Sequence, residues 1–259
     1  MQTNHNYARL STLIFSLCLF FVQATSLAMA SQADRIALKA MVEMEVNKDL
    51  AMPYNPLQCL NDFDNRKGID GRSLADFDGD LVELWVNFEC TYCGPQEPLK
   101  AQRAHNDMRI VVRHLASDSY SESLKKALSY EALKTFSVNA ANMFWENVIP
   151  KTSLAIPTPY NAALIHAFQE AAIDPEAFSE ALTHKATEII NADLAVNSGR
   201  ISITPTYILD GIRFPACNFT SEQVVKALSL AKEARSGNEE AKAHIIEIIL
   251  QGLLGEIAL

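Results

Sequence analysis

Residues 81–93 read LVELWVNFECTYC, and no other stretch constrains the chain as much. Leu81 to Phe88 is rich in β-branched and aromatic residues, with Asp-Gly-Asp before it and a cysteine turn after it, which predicts a central strand. Cys90 and Cys93 sit three apart where that strand ends. A pair of this kind serves as half of a zinc site, as a permanent staple, or as a dithiol that opens and closes. Each use requires a different setting in the rest of the chain.

The N-terminus supplies part of that setting. Residues 1–10 are polar with one cation, Arg9; Ser11 to Val22 is apolar but too short to span a bilayer; Ala28-Met29-Ala30 is a small-x-small cleavage signal. This order predicts a secretory signal peptide over 1–30. The alternatives are a retained anchor or a lipoprotein through Cys18, where Leu17 stands in place of the small residue that modification needs. No later stretch is apolar and long enough to cross a membrane, so the mature chain of about 230 residues is expected to be soluble and periplasmic. The leader carries one cation and no acid, and its loss takes the net charge from −9 to −10. That balance argues against nucleic acid and anionic membranes as partners. Cys18 leaves with the leader; Cys59, Cys90, Cys93 and Cys217 remain, an even number in an exported chain, which suggests pairing.

Helical spacing of apolar residues predicts a helix from Ser31 to about Leu50, as a core element or an oligomerisation element. Pro53 and Pro56 break it, and Asn61 to Asp80 reads as loop and short strand. After Cys93, GPQEPLKAQRAHND is expected to be helical, with a kink at Pro98 if the helix begins at the cysteines. Met108 to Ala116 is a second buried strand. About eighty residues of helix follow, the last segment opening with Asp174 as N-cap and Pro175 at the first helical position. In ISITPTYILDGIRFPAC, Asp210-Gly211 between two apolar runs predicts a tight hairpin. Thr220 and Gln223 match a capping box opening a helix to about Arg235. The tail from Ser236 is a further helix, able to dock on the core or on another subunit. The order implies an α/β fold: a central sheet with helices on both faces and a helical block inserted midway.

Zinc requires two more ligands. Cys59 and Cys217 are isolated in sequence, and His105, His114, His166, His184 and His244 are scattered without paired spacing, so no metal is expected. A redox cysteine needs a lowered pKa, because the thiolate is the attacking species. A strand-to-helix junction provides this, since free N–H groups of a first helical turn favour negative charge. Cys90 then reads as the nucleophile and Cys93 as the resolving thiol.

WVNFECTYC, followed by RIVVRHLA, MFWE and ISITPTYILDG, resembles the DsbA-like family of exported thiol-disulfide oxidoreductases, from about Asp80 to Arg235. The resemblance implies a thioredoxin-like fold with an inserted helical subdomain. The domains are then a signal peptide over 1–30, an N-terminal helix and loop segment over 31–80, a thioredoxin-like domain over 81–235 with its insertion at about 117–198, and a helical tail over 236–259. It further implies that Pro205 is a cis-proline lying against the CxxC, and that the Thr204 backbone offers substrate polypeptide a pairing edge. Two positions depart from the family pattern. Leu84 stands where many relatives carry a buried acid, and Glu83, one residue off, faces the other side of the strand. Between the cysteines stand Thr91 and Tyr92, where strongly oxidising relatives place a histidine; a Tyr92 hydroxyl carries no positive charge, and the disulfide should be less oxidising. Glu89 is expected to be an exposed flank whose charge slightly opposes thiolate formation. Cys59 and Cys217 are expected to form a second, structural disulfide; free thiols or a bond to another subunit are the alternatives.

The sequence thus predicts a periplasmic thiol-disulfide oxidoreductase without a cofactor. Its partners would be cysteine-containing exported proteins and a membrane redox protein, with a homo-oligomer formed through the terminal helices as a further expectation. An isomerase or reductase kept reduced, and a non-catalytic chaperone-like binder of unfolded chains, are the competing readings.

Overall fold

A computed structural model describes residues 32–53, 66–75, 77–116, 121–149, 157–197 and 200–255. The expected signal peptide, Cys18 and Cys59 lie outside the described residues, as do both expected ends of the helical insertion and residues 256–259. The chain divides into two units at Ala40. The first contributes the opening half of helix α1 (Gln32–Ala51); the second holds everything from Met41 onward. Among the described residues no helix is long and apolar enough to cross a membrane.

Among the described residues, four strands form one sheet in the order β2-β1-β3-β4. β1 (Asp80–Val86) and β2 (Met108–His114) run parallel, joined by helix α2 (Gln96–Ala104). β3 (Thr206–Leu209) runs antiparallel to β1, and β4 (Ile212–Pro215) antiparallel to β3. Asp210 and Gly211 join the last two strands, both at positive φ (47° and 80°), the conformation that an Asp-Gly hairpin turn requires. Glycine is obligatory at Gly79, where a Cβ would lie 2.2 Å from the Asp107 carbonyl oxygen as the chain enters β1.

The insertion consists of α3 (Ser121–Phe136), α4 (Val138–Val148), α5 (Tyr160–Ala171), α6 (Pro175–Ala181) and α7 (Thr187–Asn197). The caps read from sequence form as expected at α6, where Asp174 accepts from the Glu176 and Ala177 N–H groups and Pro175 follows. The sequence reading carried this segment on as one helix, but α6 and α7 are joined by a π-helical turn, Leu182–Ala186, that packs against α3 and buries Ala186. Helix α8 (Ser221–Arg235) opens on the Thr220–Gln223 capping box. Helix α9 (Glu239–Leu254) packs on α8 and β4, burying Ile245, Ile246, Ile248, Ile249 and Leu250 against its own chain. The docking of the tail is thereby decided in favour of the core.

Both sheet edges are covered, by backbone and side-chain contacts beyond β2 and by side chains beyond β4. Beyond β2, the Ile69 N–H bonds the Ile110 carbonyl (2.8 Å) and the Arg66 guanidinium bonds that of Val112 (3.0 Å). Beyond β4, Asp49 of α1 accepts the Arg213 backbone N–H (3.1 Å) and its guanidinium, which also reaches Glu45 (2.7 Å). Such contacts block the pairing that bare edges invite.

The strands look apolar in sequence, yet Glu83 and Arg113 are buried on the same face of the sheet, 2.9 Å apart. Arg113 also reaches Asp193 of α7 (3.2 Å), and Asp193 in turn holds Arg66 (2.6 Å) and the His114 backbone N–H (3.0 Å). Two carboxylates and two guanidiniums thus neutralise one another and fasten the inserted helices to β2. Breaking such a group leaves charges buried without compensation, at a cost of about 3–5 kcal/mol. Arg113→Met is therefore expected to lower the unfolding free energy by about that amount, read as a reduced urea midpoint; a loss below about 1 kcal/mol would show that the group contributes little.

Candidate active site

The chain leaving β1 turns through Asn87, whose carbonyl accepts the Cys90 N–H (2.9 Å) and whose side chain accepts the Glu89 N–H (2.8 Å). The Cys93 N–H then bonds the Cys90 carbonyl (3.1 Å). Helix α2 begins only at Gln96, with Pro95 as its N-cap. Pro98 therefore stands at the third helical position, where a missing N–H costs nothing, so the kink considered from sequence has no cause.

Cys90 is partly exposed and Cys93 is buried, both as thiols. Burial and packing divide their chemistry. The hydrogen bond from Cys93 is the largest influence on Cys90; together with donors from Thr204 and the Tyr92 and Cys93 backbone N–H groups it outweighs burial and lowers the Cys90 pKa from 9.0 to about 7. Burial pushes the Cys93 thiol well up, and the neighbouring Cys90 adds to this. One sulfur is primed for attack and the other is held protonated behind it. The donors come from the turn between the cysteines rather than from a helix, which starts three residues further on.

Thr204 faces this pair from 114 residues away, its carbonyl oxygen 3.4 Å from the Cys90 Sγ. The Thr204–Pro205 peptide is cis, and Pro205 lines a groove of about 310 Å³ beside the CxxC. The side chain of Thr204 interacts with both sulfurs, a contribution that the sequence reading, concerned with its backbone, did not include. Thr91 lines the same groove. Tyr92 acts on Cys90 through its N–H: the residue is 65 % exposed, and the expected contribution of its hydroxyl has no counterpart among the influences on Cys90. Leu84 lines the groove, whereas Glu83 lies on the opposite face with Arg113, as strand alternation requires. Glu89 is exposed, as expected, and ion-paired with Lys126 of α3.

Three further residues belong to the site and were given no role from sequence, although Trp145 and Tyr207 lie within the MFWE and ISITPTYILDG segments. The Trp145 indole N–H of α4 donates to the Cys93 carbonyl (2.8 Å), tying the inserted helices to the cysteine turn. Its ring packs with Phe88 and Tyr130 at 5.8 and 5.3 Å between centroids. Tyr207, opposite Leu84 in the β1–β3 register, forms part of the groove wall. Glu97 of α2 lines the same groove and accepts the Ser221 N–H (3.0 Å). Cys217 is a buried thiol whose pKa burial raises to about 12; its expected partner Cys59 lies outside the described residues. Among the described residues no group of three His, Cys, Asp or Glu side chains is placed to hold a metal ion.

Alkylation of the reduced protein by iodoacetamide should label Cys90 with a pH midpoint of about 7 and leave Cys93 unreacted. Thr204→Val removes a donor to the thiolate and should move that midpoint upward. A midpoint near 9 in the unaltered protein would contradict the arrangement.

No protein-family model matches the sequence, and no curated protein matches it significantly. Solved structures do. A linker-deletion variant of ScsC from Proteus mirabilis is similar at a TM-score of 0.52, with 13% identity, 90% of this chain and 98% of that chain covered. Proteus mirabilis ScsC in a compact conformation gives 0.50, with 14% identity and 77% and 90% covered. The thiol-disulfide exchange protein alpha-DsbA2 from Wolbachia pipientis gives 0.47, with 14% identity and 77% and 98% covered. The chain shares the fold of the ScsC structures, the thioredoxin-like arrangement with inserted helices that the sequence motifs implied.

Proposed function

We propose that the chain is a thiol-disulfide oxidoreductase acting on cysteines of exported proteins. The observation that carries this is the asymmetry of the pair: a reachable Cys90 with its pKa lowered to about 7, and a buried Cys93 held protonated beside it. In the reducing direction the Cys90 thiolate attacks one sulfur of a client disulfide; that S–S bond breaks and the departing client thiolate takes up a proton. Cys93 then loses its proton and attacks the Cys90 sulfur. The mixed disulfide breaks, the second client thiol leaves, and the client has gained the two electrons that the dithiol lost. The reverse sequence forms a client disulfide. Thr204 and Pro205 stand where a client backbone must pass to reach Cys90, and no cofactor enters any step.

The signal peptide over 1–30 places this activity in the periplasm, and a membrane redox partner restores the pair after each turnover. The tail helix α9 is occupied by its own chain, so a homo-oligomer would use α1. A disulfide between Cys59 and Cys217 would be structural, taking no part in the exchange steps above. The donors that stabilise Cys90 are all neutral, which favours the isomerase or reductase reading over that of a strong oxidant.

Cys90→Ala should abolish exchange with a disulfide peptide, and Cys93→Ala should accumulate the peptide on Cys90 as a mixed disulfide visible by mass spectrometry. Undiminished biological activity in Cys90→Ala would leave only the chaperone-like role.

A further inference from the structure

The groove beside the cysteines has a chemical character of its own. Leu84, Ile149, Pro205 and Phe219 give it apolar walls, while Glu97 and Glu146 are its charged lining residues, with no lysine, arginine or histidine among them. Its volume of about 310 Å³ lies at the lower end of ligand-binding pockets, with room for side chains and none for a folded element. The carboxylates are fixed by the fold: Gln96 donates to Glu146 (2.9 Å), and the Ser221 N–H donates to Glu97 (3.0 Å). Lys100 pairs with Glu97 from the surface, where 62% of its side chain stays exposed. An exposed pair of this kind is weak and is readily exchanged for another cation. A carboxylate has about four acceptor positions, of which these two contacts use two at Glu97.

A second observation points independently to a ligand. Tyr207 is 3% exposed and lines the groove, and among the described residues its hydroxyl has no hydrogen-bond partner. Burial raises its pKa, so the hydroxyl keeps its proton and is both donor and acceptor. The hydroxyl is reached from the groove, where a bound side chain can complete its hydrogen bonding. At the rim the exposed Tyr92 ring offers a face to a cation. Apolar walls, carboxylates and a waiting hydroxyl together match a long aliphatic stem with a cationic head.

We infer that this groove takes a lysine or arginine side chain of the client, and so selects disulfides with a basic residue close to the reacting cysteine. The inference rests on the reading above, that Cys90 exchanges disulfides with polypeptides. The net charge of −9 works in the same direction, drawing basic clients toward the mouth of the groove.

The test uses three peptides, each with one cysteine capped by 2-mercaptoethanol as a mixed disulfide, and with Lys, Gln or Glu two residues to either side. Rates with the reduced protein are divided by rates with dithiothreitol, which removes the intrinsic effect of peptide charge. The Lys peptide should react about tenfold faster than the Glu peptide at low salt, and the ratio should shrink toward twofold at 0.5 M NaCl as the charges are screened. In the Glu97→Gln/Glu146→Gln double variant the ratio should collapse. Equal rates for the three peptides, or an undiminished ratio in the double variant, would overturn the inference alone. Failure of the protein to exchange with uncharged bis(2-hydroxyethyl) disulfide would instead overturn the reading on which it rests.

Discussion

The antiparallel pairing of β1 with β3 brings Cys90 and Thr204, 114 residues apart, to one place. In that register Leu84 faces Tyr207 and Trp85 faces Thr206, so the chain leaving β1 meets the chain entering β3. The cysteine turn is therefore met by Thr204 and Pro205 whatever the insertion does between them. The insertion is held to the same frame from two directions. Asp193 anchors it to β2 through Arg113, Arg66 and the His114 N–H, and Trp145 anchors it to the Cys93 carbonyl. Loss of either anchor would leave a buried polar group unpaired, so the geometry at the sulfurs and the docking of the helices stabilise each other.

The parts of this arrangement that were legible in sequence are those fixed by local rules. A β-branched run ending in a CxxC turn, an Asp-Gly hairpin, a Thr-x-x-Gln box and an Asp-Pro helix start each specify backbone within a few residues, and all four form. What escaped notice depends on partners far along the chain. Nothing near Trp145 says that its N–H reaches Cys93, 52 residues earlier. The π turn at Leu182–Ala186 follows from packing against α3, not from its own residues. One signal was available and went unread: Glu83 and Arg113 each interrupt an apolar strand, and a charge in such a place needs an opposite one beside it. Glu83 on β1 and Arg113 on β2 meet that need for each other across neighbouring strands.

The helix start is an instructive miss. Placing Cys90 at a helix N-terminus was one route to a stabilised thiolate, but the helix begins after Pro95, and the same result comes from a turn. Tyr92 and Cys93 supply backbone N–H groups, and Cys93 its thiol, all within three residues of the sulfur they stabilise. The compactness of this arrangement explains why the residues between the cysteines matter through their backbone more than through their side chains. An exposed Tyr92 ring is then free to meet a client.

The neutrality of these donors bears on the direction of electron flow. A thiol whose pKa is lowered on folding stabilises the folded dithiol fully above its unfolded value near 9, and loses that stabilisation as the pH falls through about 7. At pH 7 such a group is only half ionised. The reduced form then gains RT ln 2, less than about half a kcal/mol, over a thiol without the shift. Oxidising power of the strongest kind requires a nucleophile ionised far below neutrality, with a cation or a charged imidazole to hold it there. Around Cys90 the fold provides a thiol, a threonine and two amides. Glu89 is paired with Lys126 and Glu83 with Arg113, and no carboxylate figures among the influences on Cys90. Neutral donors of this kind give the pair no strong bias toward either redox state near neutrality.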